Sequence, residues 1–469
     1  MFEQPRWHAE AGFAIAAGLL WLWVGAHGGA LTFAVAVVPA VMLLASGGST
    51  LLWPGDHRIP HFMASGGVLG VVLAALAWPA LGLAAGGTLI GLCAASFIAA
   101  GTVSVRQEPH VEDVPLPRPS LRLWARVGLD EAVMASLQAW MRFPRGAEAA
   151  RVHREVIEAT EFFEERGWLD KPIEYHAEPP ALAAPQVQPG RARGFDFEHL
   201  SFESEYEPHV LEPGRDRFLA YSANRTAHAW MLRHRGAERP WLVCLHGFRM
   251  GSPRIDLSAF DPGLYHEKLG LNLMVPVLPL HGPRKAGWRS GDRFLDGDAV
   301  DTVHAEAQAI WDIRRLLSWI RSTGAGPIGV YGISLGGYNT ALLASIESDL
   351  ACAIAGVPLA DMARIFWHHG PELHVRHAEH LGLGRSQLER VFRPIAPLSM
   401  EPRVPREHRA IFGGVSDRIV PVEMIRDLWR HWERPRIEWY QGGHLSFNSD
   451  PRIAVLIRET LRDSGLSGA

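Results

Sequence analysis

Hydrophobic and polar positions divide this chain near Val105. Between residues 11 and 105 the charged side chains are Asp56 and Arg58, both inside the run PGDHRIPH, and the remainder is almost unbroken apolar sequence. Four segments stand out, 11–26, 30–53, 62–78 and 81–103, each close to the ~17–25 residues that cross a ~30 Å hydrocarbon core. None shows the polar face of a helix lying on a soluble core. A secretory signal peptide accounts for one such segment and leaves three unexplained. The pattern therefore predicts a four-helix transmembrane domain over residues 1–105.

Beyond Val105 the pattern changes. The stretch EPHVEDVPLPRPS (108–120) is proline-rich and acidic and reads as an extended tether. Residues 147–169 have helical periodicity with charges on one face, and 178–194 read as a loop or linker. Residues 106–199 are accordingly expected to form a tether and helical connecting region. From about residue 200 strand-like runs (227–234, 239–247, 271–280, 327–333, 351–358, 408–417, 434–441) alternate with helical ones, the longest at 298–321. That alternation predicts an α/β domain over 200–469, a mostly parallel sheet with helices on both faces. Residues 358–405 interrupt it and are expected to form a lid, with Phe366, Trp367 and Phe392 as candidates to line an acyl pocket.

The formal charge of −4 over 469 residues gives no reason to expect a nucleic-acid partner. Charge placement is more informative. With four crossings, Arg6, Arg58 and the group Arg106, Arg118, Arg122 and Arg126 fall on one side, whereas the connections at 27–29 and near Pro79 carry no Lys or Arg. The excess of cations on cytoplasmic loops then places both termini, and the α/β domain, in the cytoplasm. Cys93, Cys244 and Cys352 sit in apolar segments and are expected to be free thiols.

The candidate chemistry lies in YGISLGGYNT. Gly332-Ile333-Ser334-Leu335-Gly336 fits G-x-S-x-G, and its context is an apolar β-branched run followed by a helical one. A serine hydroxyl needs a base within hydrogen-bond reach and a carboxylate to fix that base's tautomer. Asp417 follows a strand in GGVSDRIVP, and His444 follows the last strand in YQGGHLSF. The chain order serine, aspartate, histidine suits a strand-turn-helix nucleophile. Asp361 is an alternative acid, although it opens a helical run where a carboxylate complements the helix dipole. The loop LHGPRKAGWRSGDRF holds Arg284, Lys285, Arg289 and Arg293 and is either a solvated basic loop or an anion contact. His374, His377 and His380 recur every three residues, but with neither a cysteine nor a fixed carboxylate beside them no metal site is expected.

Residues from about 200 to 462 resemble the alpha/beta-hydrolase superfamily, in its serine esterase and lipase-like form. The resemblance rests on Gly332–Gly336, Asp417 in SDRIVP, His444 in GGH, and the HGF turn (246–248) after an early strand. It implies Ser334 as nucleophile, Asp417 as acid, His444 as base, and an oxyanion hole from the backbone N–H groups of Leu335 and Phe248, with no cofactor and no metal. The expected protein is a membrane-anchored serine hydrolase that cleaves an ester-type bond, with a lipophilic acyl ester and the bilayer as partners. An acyltransferase or thioesterase using the same residues, or a non-catalytic receptor or scaffold, are the alternatives.

Overall fold

A computed structural model of the chain describes residues 9–467 apart from 54, 237 and 325. Arg6, used above for orientation, lies outside the described residues. The chain forms two compact units: one of residues 1–140 with 414–422 and 439–450, the other of 141–413, 423–438 and 451–469.

In the first unit, α1 (Ala9–His27), α2 (Gly29–Leu52), α3 (Ile59–Leu76) and α4 (Trp78–Gln107) realise the four apolar segments. Each is long and apolar enough to cross a membrane. Their inward faces are small: Ala14, Ala17, Ala36, Ala40 and Ala64 are buried beside Trp21, Leu43 and Met63. At Gly67 an added Cβ would sit 2.8 Å from the Cys93 carbonyl oxygen, and at Gly70 it would sit 2.5 Å from the Cys93 sulfur. Such close backbone approach is how helices associate where apolar burial alone gives no drive. The outward faces carry Leu19, Val41, Val72 and Leu83, all exposed. Small residues inside and large apolar residues outside invert the arrangement of a water-soluble bundle.

Two features differ from expectation. Residues 108–120 form neither helix nor strand, as a tether would, but are held at several points: Val111 and Val114 are buried against Val422, and Gln441 bonds the Arg118 N–H and the Leu116 carbonyl. A fifth helix, α5 (Leu121–Trp140), follows, and it buries Asp130 and Glu131 completely. Proline content argued for extension over 108–120, but valines spaced three apart supplied a buried edge.

The second unit is built on a nine-stranded sheet: β1 (Gln186–Ala192), β2 (Phe195–Glu203), β3 (Thr226–Leu232), β4 (Trp241–Leu245), β5 (Asn272–Val277), β6 (Ile328–Ile333), β7 (Cys352–Gly356), β8 (Arg409–Gly414) and β9 (Arg436–Tyr440). Their order is β1-β2-β3-β5-β4-β6-β7-β8-β9. The first four in that order pair antiparallel, and β5-β4-β6-β7-β8 pair parallel. Strands β4 to β8 are buried along their whole length, as parallel strands covered on both faces must be. This is the expected mostly parallel sheet, extended by a hairpin that the polar stretch 178–194 concealed. Pro189 is admissible there because β1 is an edge strand. Arg193 and Gly194 both have positive φ (53° and 89°), so they close a two-residue turn of the primed kind that matches strand twist.

The long helix Ala299–Ser322 starts at Asp298, whose side chain accepts the Asp301 N–H. It explains the basic loop, where Arg284 is neither solvated nor available to an anion. Arg284 is fully buried; it donates to Asp312 on this helix at 2.8 Å and to the carbonyls of Val277 and Asn224 at 3.0 Å each. Removing one partner of a buried ion pair strands the other charge, at about 3–5 kcal/mol. Asp312→Ala is therefore expected to lower the thermal unfolding midpoint sharply, whereas Lys285→Ala, on an exposed side chain, should leave it unchanged; equal midpoints would refute a structural role for Arg284.

Candidate active site

Strand β6 leads directly into the helix Leu335–Ile346, and Ser334 is the residue at the corner. Its backbone has φ 57° and ψ −116°, a conformation that non-glycine residues adopt only under constraint. The constraint is visible in its neighbours. A Cβ at Gly332 would lie 2.0 Å from the Gly336 carbonyl oxygen, and one at Gly336 would lie 1.8 Å from the Leu245 carbonyl oxygen. Strand and helix therefore touch backbone to backbone, and the corner is held by the Ser334 N–H donating to Gly356 at 2.8 Å. From residue 328 to 347 every side chain is buried except that of Ser334.

The turn after β4 lies beside this corner. A Cβ at Gly247 would stand 3.4 Å from the Ser334 Cβ, and Phe248 is the next residue. Leu335 opens the helix, so its N–H is among those with no partner inside it. His246 is fully occupied in shaping the turn: its Nε2 accepts the Leu278 N–H at 3.0 Å while its Nδ1 faces the Gly247 carbonyl at 2.8 Å. Burial lowers its pKa, which suits this neutral tautomer.

Asp417 and His444 come together in the first unit. Asp417 Oδ1 accepts the N–H groups of Ile419 (3.0 Å) and Val420 (2.8 Å), which fixes the carboxylate and leaves Oδ2 at 2.7 Å from His444 Nδ1. The acceptor there is a carboxylate, so Nδ1 carries the proton and Nε2 of the neutral ring is left as a base. Asp417 is 1% exposed and His444 5%. Burial opposes a charge on the imidazole, but the Asp417 carboxylate outweighs it and the His444 pKa is raised.

A second carboxylate, Asp130 of α5, accepts the His444 N–H at 2.5 Å. Burial and then the Asp417 charge push its pKa up to about 7. Sequence reasoning passed over it; the available signal was an adjacent Asp-Glu pair in the run ARVGLDEAVMASL, whose other charged residue is Arg126. Asp361, the alternative acid, caps the helix Met362–His369 by accepting the Arg364 N–H at 2.9 Å.

Between β7 and β8, the helices Met362–His369, Glu372–His380 and Arg385–Phe392 border, together with residues of 143–153 and 297–299, a partly open apolar cavity of about 100 Å³. Its lining includes Phe143, Val152, Phe366, Trp367, Leu381 and Leu388. Phe392 lies behind that lining, stacked on Phe366 with ring centroids 5.8 Å apart. His374 and His377 border the cavity, and His374 packs on Phe143. Among the described residues no group of three His, Cys, Asp or Glu side chains is placed to hold a metal ion. Cys93, Cys244 and Cys352 are buried free thiols.

Comparison with known proteins gives the following. The profile of the family described as "Alpha/beta hydrolase domain containing 18" matches residues 270–363. Two Mycobacterium tuberculosis proteins, named "Uncharacterized protein MT2702" (strain CDC 1551 / Oshkosh) and "Uncharacterized protein Rv2627c" (strain ATCC 25618 / H37Rv), are each 42% identical over 365 residues, covering 77% of this chain and 87% of theirs. Among solved structures, an acetyl xylan esterase from Paenibacillus sp. R4 is 16% identical with a TM-score of 0.44, over 62% of this chain and 98% of the other. Acetyl xylan esterase 1 from Thermoanaerobacterium sp. JW/SL YS485 is 14% identical with a TM-score of 0.43 over the same shares.

The raised His444 pKa fixes a direction of pH dependence. Folding stability from this pair is fully present below the free-histidine value of ~6.5 and is lost as pH rises through the higher folded value. Asp130, also raised, acts in the same sense between ~4 and 7. Asp417→Asn should lower the His444 midpoint, read by NMR of histidine-labelled protein, and flatten the fall in stability across that window. An unmoved midpoint would show that the two side chains do not interact in solution.

Proposed function

Because the chain belongs to the alpha/beta-hydrolase superfamily, we propose that it is a serine hydrolase that cleaves an ester-type bond through an acyl-enzyme on Ser334. The observation that carries the proposal is the strained, positive-φ backbone of Ser334, solvent-accessible alone within a buried strand-turn-helix. Strain of this kind persists where surrounding structure enforces it, and it concentrates at reacting groups.

In this reading Ser334 Oγ attacks the carbonyl while His444 Nε2 takes its proton. Asp417 holds the ring by its Nδ1–H and stabilises the imidazolium. Negative charge on the former carbonyl oxygen is met by the N–H groups of Leu335 and Phe248, each worth ~2.7–4 kcal/mol in such sites. His444 then protonates the leaving alcohol, and water activated by the same nitrogen releases the acid. Support for the pairing comes from topology: Ser334 follows β6, Asp417 follows β8 and His444 follows β9, the carboxyl ends of strands where open α/β sheets bind ligands. No step calls on a metal or cofactor.

We further infer that α1 to α4 anchor the protein in a bilayer, with termini and sheet on the cytoplasmic side, from the apolar outer faces and from Arg58, Arg106, Arg118, Arg122 and Arg126. An acyl ester of lipophilic character suits both that location and the apolar cavity of the 358–405 insertion.

The test is active-site labelling of the detergent-solubilised full chain with a fluorophosphonate, followed by turnover of p-nitrophenyl esters of increasing chain length. Ser334→Ala and His444→Ala should each abolish labelling and lower kcat by about 10⁴-fold or more. A folded wild type that neither labels nor turns over any ester would favour the non-catalytic receptor; acyl transfer to an added alcohol or thiol in preference to water would favour the transferase.

A further inference from the structure

Glycines precede His444 and a turn follows Asp417, so neither loop is stiff by its own sequence. What holds them is a buried carboxylate of the helical unit. Asp130 Oδ2 accepts the His444 N–H at 2.5 Å and the Arg418 N–H at 3.2 Å, while its Oδ1 accepts the Leu445 N–H at 3.2 Å. The three donors come from both loops: the residue after Asp417, His444 itself, and the residue after it. One fully buried carboxylate thus bridges two segments more than twenty residues apart in sequence and fixes them against each other.

The neighbouring residue completes the attachment. Arg418 donates from Nε to Glu131 at 2.9 Å and from Nη1 to Glu108, next after α4, at 2.6 Å. Glu131 also accepts from Ser104 on α4 and pairs with His61 on α3. Consecutive residues of one helix point about 100° apart. Asp130 therefore reaches the backbone of the two loops while Glu131 ties Arg418 to the long apolar helices.

We propose that Asp130 is a positioning residue for His444, and that the helical unit is through it a working part of the reaction site as well as an anchor. The inference rests on the Ser334–Asp417–His444 reading. Its physical basis is that a general base acts only when held within roughly 0.5 Å of its productive place. Asp130 touches no reacting atom; it constrains the backbone from which the imidazole projects.

The experiment measures fluorophosphonate labelling of the full-length detergent-solubilised protein as a function of probe concentration, for wild type, Asp130→Ala and Asp130→Asn. Asp130→Ala should lower the maximal labelling rate by about 100-fold, as a misplaced catalytic group does, with the half-saturating probe concentration unchanged. Asp130→Asn is isosteric and keeps one acceptor oxygen, so its rate should fall between the two; it carries the test should the alanine variant not fold. A merely structural role would leave the rate per folded molecule at the wild-type value. Wild-type rates in both variants, or a loss seen only in half-saturation, would overturn the positioning role and leave the hydrolase reading intact. A wild type that does not label would overturn both.

Discussion

Two adjacent carboxylates buried in one helix set the terms for the first unit. Buried carboxylates need hydrogen-bond partners, and both find them: three backbone N–H groups for Asp130; the Arg418 guanidinium, the Ser104 hydroxyl and the His61 ring for Glu131. Those partners come from α3, α4 and two loops distant in sequence. Satisfying the charge therefore fixes where the loops run, and with them Asp417 and His444. Polar burial here acts on geometry more than on net stability, since such clusters return little of their desolvation cost.

The second unit depends on a steric constraint instead. Gly332 lets strand β6 meet its following helix, and Gly336 lets that helix meet the end of β4, without intervening side chains; the price is paid at Ser334, whose backbone is forced to positive φ. At the corner Ser334 is partly solvent-accessible in a run that is otherwise buried. A helix N-terminus and the turn after β4 adjoin the same corner, so in the proposed reading the donors for a developing oxyanion would come from backbone alone. The same economy appears in His246, whose two nitrogens are spent on holding that turn.

The four long helices follow a third logic. Alanine and glycine face inward and permit close contact, while leucine, valine and phenylalanine face outward. That distribution suits apolar surroundings, which is the physical argument for a bilayer in the functional reading.

The sequence by itself determined the features that follow from local pattern: four apolar helices, the strands β3 to β9, the long helix at 299–322 and the strand-turn-helix around Ser334. Each announces itself through periodicity, β-branched runs or obligatory glycines, which are properties of neighbours in the chain. Tertiary structure decided the rest. The polar edge hairpin β1–β2 became strand because a sheet edge was waiting for it, and Val111 and Val114 became buried because Val422 lies alongside. Arg284, which reads as a solvated cation, is buried because Asp312 reaches it from a helix that begins fifteen residues later. Asp130 could be seen in the sequence only as an oddity, since its partners lie about three hundred residues away. Ionic and hydrogen-bonding partners are set by three-dimensional proximity, and no periodicity along the chain records them.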